Sequence, residues 1–218
     1  MVDRSPTSPV KSSGDEPYLP LANNTDFRLT TIKESDLEDT IALFNHPDVG
    51  KWACMRPYPY QAAHFDFFRP HLSTLEFTAQ SLASATHDDK NPPFPLSALT
   101  SVPVFPLSAL RHTSTGKLVG VVNVGPSMRE EGALEIAYDV RPDYQGRGLA
   151  KGMVEAVLRL LAWLGVERVV AFCEVTNIPS SRLLTKAGFT QFTEKLQAWP
   201  AEKGGGERLT IGFERKLS

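Results

Sequence analysis

The chain has 218 residues, 41% hydrophobic and 22% charged, which is the balance of an ordinary globular domain with one complete core. Its 23 Lys and Arg stand against 25 Asp and Glu, a formal net charge of -2, so there is no basic field to gather nucleic acid or an anionic membrane surface. Two distant cysteines, Cys54 and Cys173, leave no disulfide framework and no zinc-ligand spacing, and no metal is expected. No apolar leader and no run of about 18 apolar residues is present, which predicts a soluble, cytoplasmic protein.

Residues 1–24 carry Pro6, Pro9, Pro17 and Pro20 among serines and charges, which predicts a disordered tail. Ser5-Pro6 and Ser8-Pro9 within it are candidate phosphorylation sites, beside the plainer reading of a solvated segment. One domain is expected over 25–218. It opens with a strand at Phe27–Ile32 and a helix that Ser35 caps and that stops near His46-Pro47. A second helix is expected over about 60–75. Residues 76–104 mix Ser, Thr, Ala and Pro with few periodic apolar positions and read as a loop insertion. The hexapeptide from Phe94 to Leu99 recurs word for word from Phe105 to Leu110; the second copy is expected in the sheet and the first in the loop.

Strands near 105–112 and 117–124 are predicted to meet at a Thr115-Gly116 turn, followed by a third over 134–140, as an antiparallel meander. A long helix over 148–164 has polar positions at Lys151, Glu155 and Arg159 and is apolar nearly everywhere else, so it should be buried on most sides. Val169–Cys173 is apolar on both faces, as a central strand requires. A helix from about Pro179 should end at Gly188, and strands around 190–198 and 208–216 flank Gly204-Gly205-Gly206.

The segment that carries chemistry runs from Glu135 to Leu158. Gly146 and Gly148 bracket Arg147 where a helix begins, so unpaired first-turn N–H groups can approach an anion without side-chain obstruction. The helix dipole and the Arg147 guanidinium add to that attraction. A plain tight turn is the bland alternative. A third glycine for a dinucleotide fingerprint and a Gly-Lys-Ser/Thr for a P-loop are both missing.

In that context Gln145-Gly-Arg-Gly-Leu-Ala150 resembles the Gln/Arg-x-x-Gly-x-Gly/Ala signature of the GNAT superfamily of N-acetyltransferases. Glu135–Pro142 looks like the fourth strand of the branch that acetylates ribosomal-protein N-termini. Asn177–Phe189 looks like that branch's Asn-x-x-Ser helix closed by Gly-Phe. The resemblance implies an α+β fold with a mixed, mostly antiparallel sheet that splays at its centre, helices on both faces, and acetyl-CoA in the opening. Carried over by position, it gives the Val140 backbone to the pantetheine, and Gln145, Gly146, Arg147, Gly148, Leu149 and Ala150 to the pyrophosphate. Asn177 and Ser180 would hold the cofactor from the following helix, although helix capping is an equally natural role for Asn177.

An amine must lose a proton to attack a thioester, and Glu135 is the candidate base, alternating with Ala137 and Asp139 on one strand face. A solvated face is the alternative for it. Relatives often place a tyrosine in the helix that follows Asn177 as the proton donor to the leaving thiolate. Here that stretch reads Arg182-Leu183-Leu184, which leaves Tyr138 as a substitute, or as a packing residue. Acceptor recognition is assigned to Trp52–Tyr60, to residues 76–104 and to the loop at 199–208, with Trp52 and Tyr58 as candidate pocket aromatics. The expected partners are acetyl-CoA and an amine acceptor, either a small molecule or a protein N-terminus. A CoA-binding sensor or scaffold without turnover is the alternative, and transfer of a longer acyl group a third reading.

Overall fold

The computed structural model describes residues 7–86, 94–100 and 104–217. The chain opens with β1 (Lys11–Ser13), β2 (Glu16–Pro20) and β3 (Phe27–Thr30), then α1 (Leu37–Asn45), α2 (Pro47–Gly50), α3 (Leu72–Ser84) and the short α4 (Leu96–Thr100). There follow β4 (Ala109–His112), β5 (Leu118–Pro126), β6 (Leu134–Val140), α5 (Leu149–Trp163), β7 (Arg168–Glu174), α6 (Ile178–Lys186), β8 (Thr190–Ala198) and β9 (Glu207–Lys216).

The described strands form one sheet in the order β1-β2-β3-β4-β5-β6-β7-β9-β8. Every neighbouring pair is antiparallel except β6–β7, which is parallel and registers only Leu134 with Val169 and Glu135 with Val170. Both strands are 7 residues long, so they part after their first third. That parting is the splay the resemblance implies.

Apolar side chains cover both faces of the sheet. One cluster joins α5, Leu184 of α6 and Leu82 of α3 to the strand residues Leu29, Leu110, Ile136 and Val169. The other joins Leu43 and Phe44 of α1, Phe65 and Leu75 to Ala109, Leu118 and Val121. Ala109 and Leu110 are consecutive and fall in different clusters, as alternation along a strand dictates. The helix expected over 148–164 is buried at Met153, Val154, Val157, Leu160 and Leu161, and its half-buried polar stripe carries a Lys151–Glu155 pair at 3.2 Å.

The N-terminal segment departs from the expected disordered tail. Residues 11–20 form two strands of the sheet, and Val10, Leu19 and Leu21 are buried in the core. Pro17 and Pro20 forbid a helix there but permit an extended strand, and apolar alternation supplies the burial that the proline count concealed. Ser8 is buried, and its Oγ accepts from Val10 N at 3.1 Å, so the Ser8-Pro9 site is closed in this arrangement. Residues 1–6, with the Ser5-Pro6 site, lie outside the described residues.

Three further expectations are corrected. Ser35 does not cap α1: residues Glu34–Asp36 form a 3-10 turn, and Asp36 sits at the cap position with its Oδ2 accepting from Lys33 N at 2.8 Å. The second helix is displaced along the chain, because Pro70 interrupts it: 3-10 turns occupy Ala62–Phe67 and Arg69–His71, and α3 runs on to Ser84. Residues 76–84 are therefore helix with Thr78, Ala79 and Leu82 buried, not loop insertion. The two hexapeptides diverge as expected only in part, since the second leads into β4 while the first enters α4 with Leu99 buried.

Candidate active site

Where β6 and β7 part, a cleft of about 530 Å³ opens between them. Its lining comes from five places: β6 from Ile136 to Val140, the turn and helix start from Tyr144 to Lys151, β7 from Ala171 to Cys173, α6, and the stretch from Asp48 to Arg56. Its volume falls within the range of small-molecule sites.

The mouth is shaped by Gly146 and Gly148, both left-handed at φ +75° and +73°. Only glycine adopts these angles without strain, so the chain can reverse within three residues. The first helical hydrogen bond of α5 runs from Gly152 N to Gly148 O at 3.0 Å, so the N–H groups of Leu149, Ala150 and Lys151 precede the helical ladder. Gln145 donates from Nε2 to the Val140 carbonyl at 2.9 Å and ties the strand end to the turn.

Arg147 departs from the role expected of it. It does not line the cleft: its Nη2 donates to the Asp143 carbonyl at 2.9 Å, and its guanidinium lies 5.1 Å from the centre of the Tyr144 ring. Positive charge reaches the cleft instead from Lys151, Arg182 and Lys186, none of which was expected at the cofactor site. Arg182 and Lys186 are four residues apart on α6 and so share a face, a periodicity that was available in the sequence.

Asn177 caps α6 by accepting from Ser180 N at 3.3 Å, and both residues line the cleft. Capping and cleft lining thus coincide. The helix closes with Gly188 at φ +80°, Phe189 N bonded to Leu184 O and Gly188 N to Thr185 O, each at 3.0 Å.

Tyr138 and Ser180 meet across the cleft, hydroxyl to hydroxyl at 2.9 Å. Burial pushes the Tyr138 phenol well above the usual tyrosine range, against the opposing effect of that hydrogen bond. Burial likewise pushes the Cys173 thiol up to about 11, with the Ser180 hydroxyl opposing, so at neutral pH it is a protonated wall residue and not a nucleophile.

On the other face of β6, Glu135, Ala137 and Asp139 form the expected row, with Ala137 exposed between two carboxylates. Asp139 lines the cleft and pairs with Arg56, whose guanidinium lies 3.7 Å from the centre of the Phe44 ring. Glu135 stands at the closed end of the fork and does not line the cleft. Its Oε1 accepts from Arg129 at 2.8 Å and its Oε2 from the Ser127 hydroxyl at 2.9 Å. A carboxylate offers about four lone-pair sites, so two of them remain for a water or an incoming amine.

Trp52 lines the cleft, as expected, while Tyr58 packs against Gly50 instead. The loop at 199–208 acts from behind: the buried Lys203 ammonium donates to the carbonyls of Ala53, Cys54 and Arg56 and fixes the wall that carries Trp52 and Arg56. No described residue of 76–104 touches the cleft.

The lining suits an elongated polyanion with an amide-bearing arm. Four cationic side chains, Arg56, Lys151, Arg182 and Lys186, outnumber the carboxylates Asp48 and Asp139. Leu149, Ala150 and Lys151, whose N–H groups precede the helical ladder, line the same space as β6 from Ile136 to Val140. Among the described residues no group of three or more His, Cys, Asp or Glu side chains could hold a metal ion, and no helix is long and apolar enough to cross a membrane.

Residues 26–190 match the family model of the acetyltransferase (GNAT) domain. Solved structures with the same fold include a ribosomal-protein-S5-alanine acetyltransferase from Vibrio fischeri, at TM-score 0.62 and 16% identity over 88% of this chain and 94% of that one. A spermidine N-acetyltransferase from Vibrio cholerae in complex with CoA and spermine gives TM-score 0.62 and 14% identity over 89% and 97%. A Salmonella typhimurium protein assigned as an acetyltransferase, with its cofactor acetyl-CoA, gives 0.61 and 16% over 88% and 94%. No curated protein sequence matches the chain.

Proposed function

Because the chain belongs to the GNAT acetyltransferase family, we propose that it moves an acetyl group from acetyl-CoA to a primary amine, on a protein N-terminus or a small molecule, by direct attack within the β6–β7 cleft. The observation that carries this reading is the parting of β6 and β7 after two registered pairs, with Gly146 and Gly148 lining the cleft that opens between them. Strand edges freed by the splay meet the amides of the pantetheine arm, in the manner of an added strand. The α5 N-terminus, from Gln145 to Ala150, takes the pyrophosphate, with Lys151, Arg182 and Lys186 supplying the countercharge that Arg147 does not.

When bound, acetyl-CoA supplies a thioester carbonyl as electrophile and a thiolate as leaving group. The protein contributes position and proton handling. Glu135 accepts the amine proton, through water, with Ser127 and Arg129 fixing its orientation. Tyr138, kept protonated by burial and paired with Ser180, presents its hydroxyl to the sulfur as the thiolate departs. Asp139 and Arg56 form the wall against which the acceptor amine lies, and the cytoplasm is the compartment we assign.

One observation favours a second reading, a CoA-binding sensor or scaffold without turnover: both Glu135 oxygens already have partners, and α6 carries no tyrosine. Acetyl-CoA with peptides, amino acids, polyamines and aminoglycosides separates the two. Thiol release above background accompanied by a mass gain of one acetyl group supports the transferase, and release at background with every acceptor leaves the binder. The cofactor site itself is tested by Gly148→Asp, which places a bulky anion where phosphate should approach N–H groups. Calorimetry should show CoA binding lost in a folded variant; unchanged affinity would make the turn purely structural.

A further inference from the structure

The N-terminal strands bear directly on the cleft mouth through Asn23, in the connection between β2 and β3. Its Nδ2 donates to the carbonyl of Gly148 at 3.0 Å, and this carbonyl also accepts the first helical bond of α5. The rest of the Asn23 side chain lies over Gly152. A Cβ at Gly152 would stand 2.9 Å from Asn23 Cγ and closer still to its Oδ1, so glycine there is what lets Asn23 approach.

The approach is braced from both sides. Leu19 and Leu21 are buried in the same cluster as Met153 and Val157 of α5, and Arg159 of α5 donates to the Pro20 carbonyl at 3.2 Å. Asn23 is thus delivered by a strand that is part of the sheet, though it lies 125 residues from Gly148 in sequence.

The turn it meets needs such a brace. With left-handed glycines at 146 and 148, the turn has more backbone freedom than side-chain-bearing residues at those two positions would allow, and that freedom must be given up when a phosphate is held. We propose that Asn23 is a positioning residue for the cofactor site: it fixes the Gly148 carbonyl, and with it the direction of the Leu149, Ala150 and Lys151 N–H groups, before the pyrophosphate arrives. The N-terminal strands are on this account a working part of CoA recognition. The proposal rests on the reading that the Gln145–Ala150 turn holds the pyrophosphate.

The test compares a ligand that has the pyrophosphate with one that lacks it. CoA is titrated by calorimetry and pantetheine by NMR into wild type, N23A, N23D and G152A, with melting curves to show that each variant is folded. Loss of one hydrogen bond to the turn should weaken CoA roughly 3- to 10-fold in N23A. N23D keeps the shape but removes the donor and adds charge beside the phosphate site, so it should weaken CoA more. Pantetheine affinity should stay constant in both. G152A, which expels the Asn23 side chain, should match N23A, and the two changes combined should do no more than either alone.

Wild-type CoA affinity in folded N23A, or CoA and pantetheine weakened by the same factor, would overturn the proposal, the second result meaning a general loosening. Full additivity of N23A and G152A would overturn it as well. Gly148→Asp is the control that keeps the two ideas apart: if it leaves CoA affinity intact, the pyrophosphate reading fails and takes this proposal with it. If Gly148→Asp abolishes binding while N23A and N23D do nothing, only the role of Asn23 is lost.

Discussion

At the scale of single residues, the sharpest question is which carboxylate of β6 handles the amine proton. Glu135 and Asp139 lie on one strand face four residues apart, about 13 Å along the strand. One is held by Ser127 and Arg129 at the closed end of the fork, the other by Arg56 within the cleft. If Glu135 is the base, Glu135→Gln should lower kcat roughly 10²–10⁴-fold at neutral pH without changing CoA affinity. The defect should shrink as pH rises toward the acceptor's own pKa, about 8 for an α-amine and about 10.4 for a lysine, because more acceptor then arrives deprotonated. Asp139→Asn, which releases Arg56 from its partner, should instead raise KM for the acceptor with kcat little altered. A pH profile of both parameters decides, and the reverse pattern would move the proton role to Asp139. Glu135 was legible as a candidate because strand alternation separates it from the core. Its partners were not, since Arg129 and Ser127 reach it through a turn whose geometry no periodicity encodes.

At the scale of elements, α1 enters the fold over a buried ion pair. Arg111 on β4 meets both oxygens of Asp36, at 2.7 and 2.8 Å, and also donates to Thr30 Oγ1, the Thr31 carbonyl and the Gly116 carbonyl. Both side chains are nearly inaccessible, at 8% and 3%. Desolvation opposes the charge on Arg111, and the hydrogen bond and Coulomb attraction of Asp36 overcome it, so the guanidinium is held above its ordinary range. Removing one partner leaves the other buried and unpaired, which costs about 3–5 kcal/mol. Asp36→Asn should therefore lower the urea midpoint strongly while leaving the slope unchanged, and a loss under about 1 kcal/mol would mean that water reaches the pair. The expectation of Ser35 as helix cap failed for the same reason. Ser35 has the preferred chemistry, but the cap position went to the residue whose carboxylate has a partner 75 positions further on.

At the scale of the whole molecule, the N-terminal strands extend the sheet beyond the matched family domain, which begins at residue 26. Leu19 is fully buried and Leu21 nearly so, at 0% and 2% exposure. Two such side chains contribute roughly 3–6 kcal/mol of burial, a large share of the 5–15 kcal/mol typical of a domain. A chain lacking residues 1–23 should therefore melt well below the full-length protein, and a melting temperature within about 2 °C of it would show that the strands are dispensable. Sequence alone determined the order of elements from Phe105 onward, the position of β6 and α5 to within a residue or so, the Gly146–Gly148 turn and the motifs of the family, because each rests on local periodicity or on a backbone conformation that only glycine adopts freely. Tertiary structure alone decided that β6 and β7 part after two pairs, that Arg147 turns out of the cleft while Lys151, Arg182 and Lys186 turn in, and that a proline-rich start folds into the sheet and reaches Gly148. Those outcomes depend on which distant surface each residue meets, and burial against a partner far along the chain leaves no mark in the local sequence.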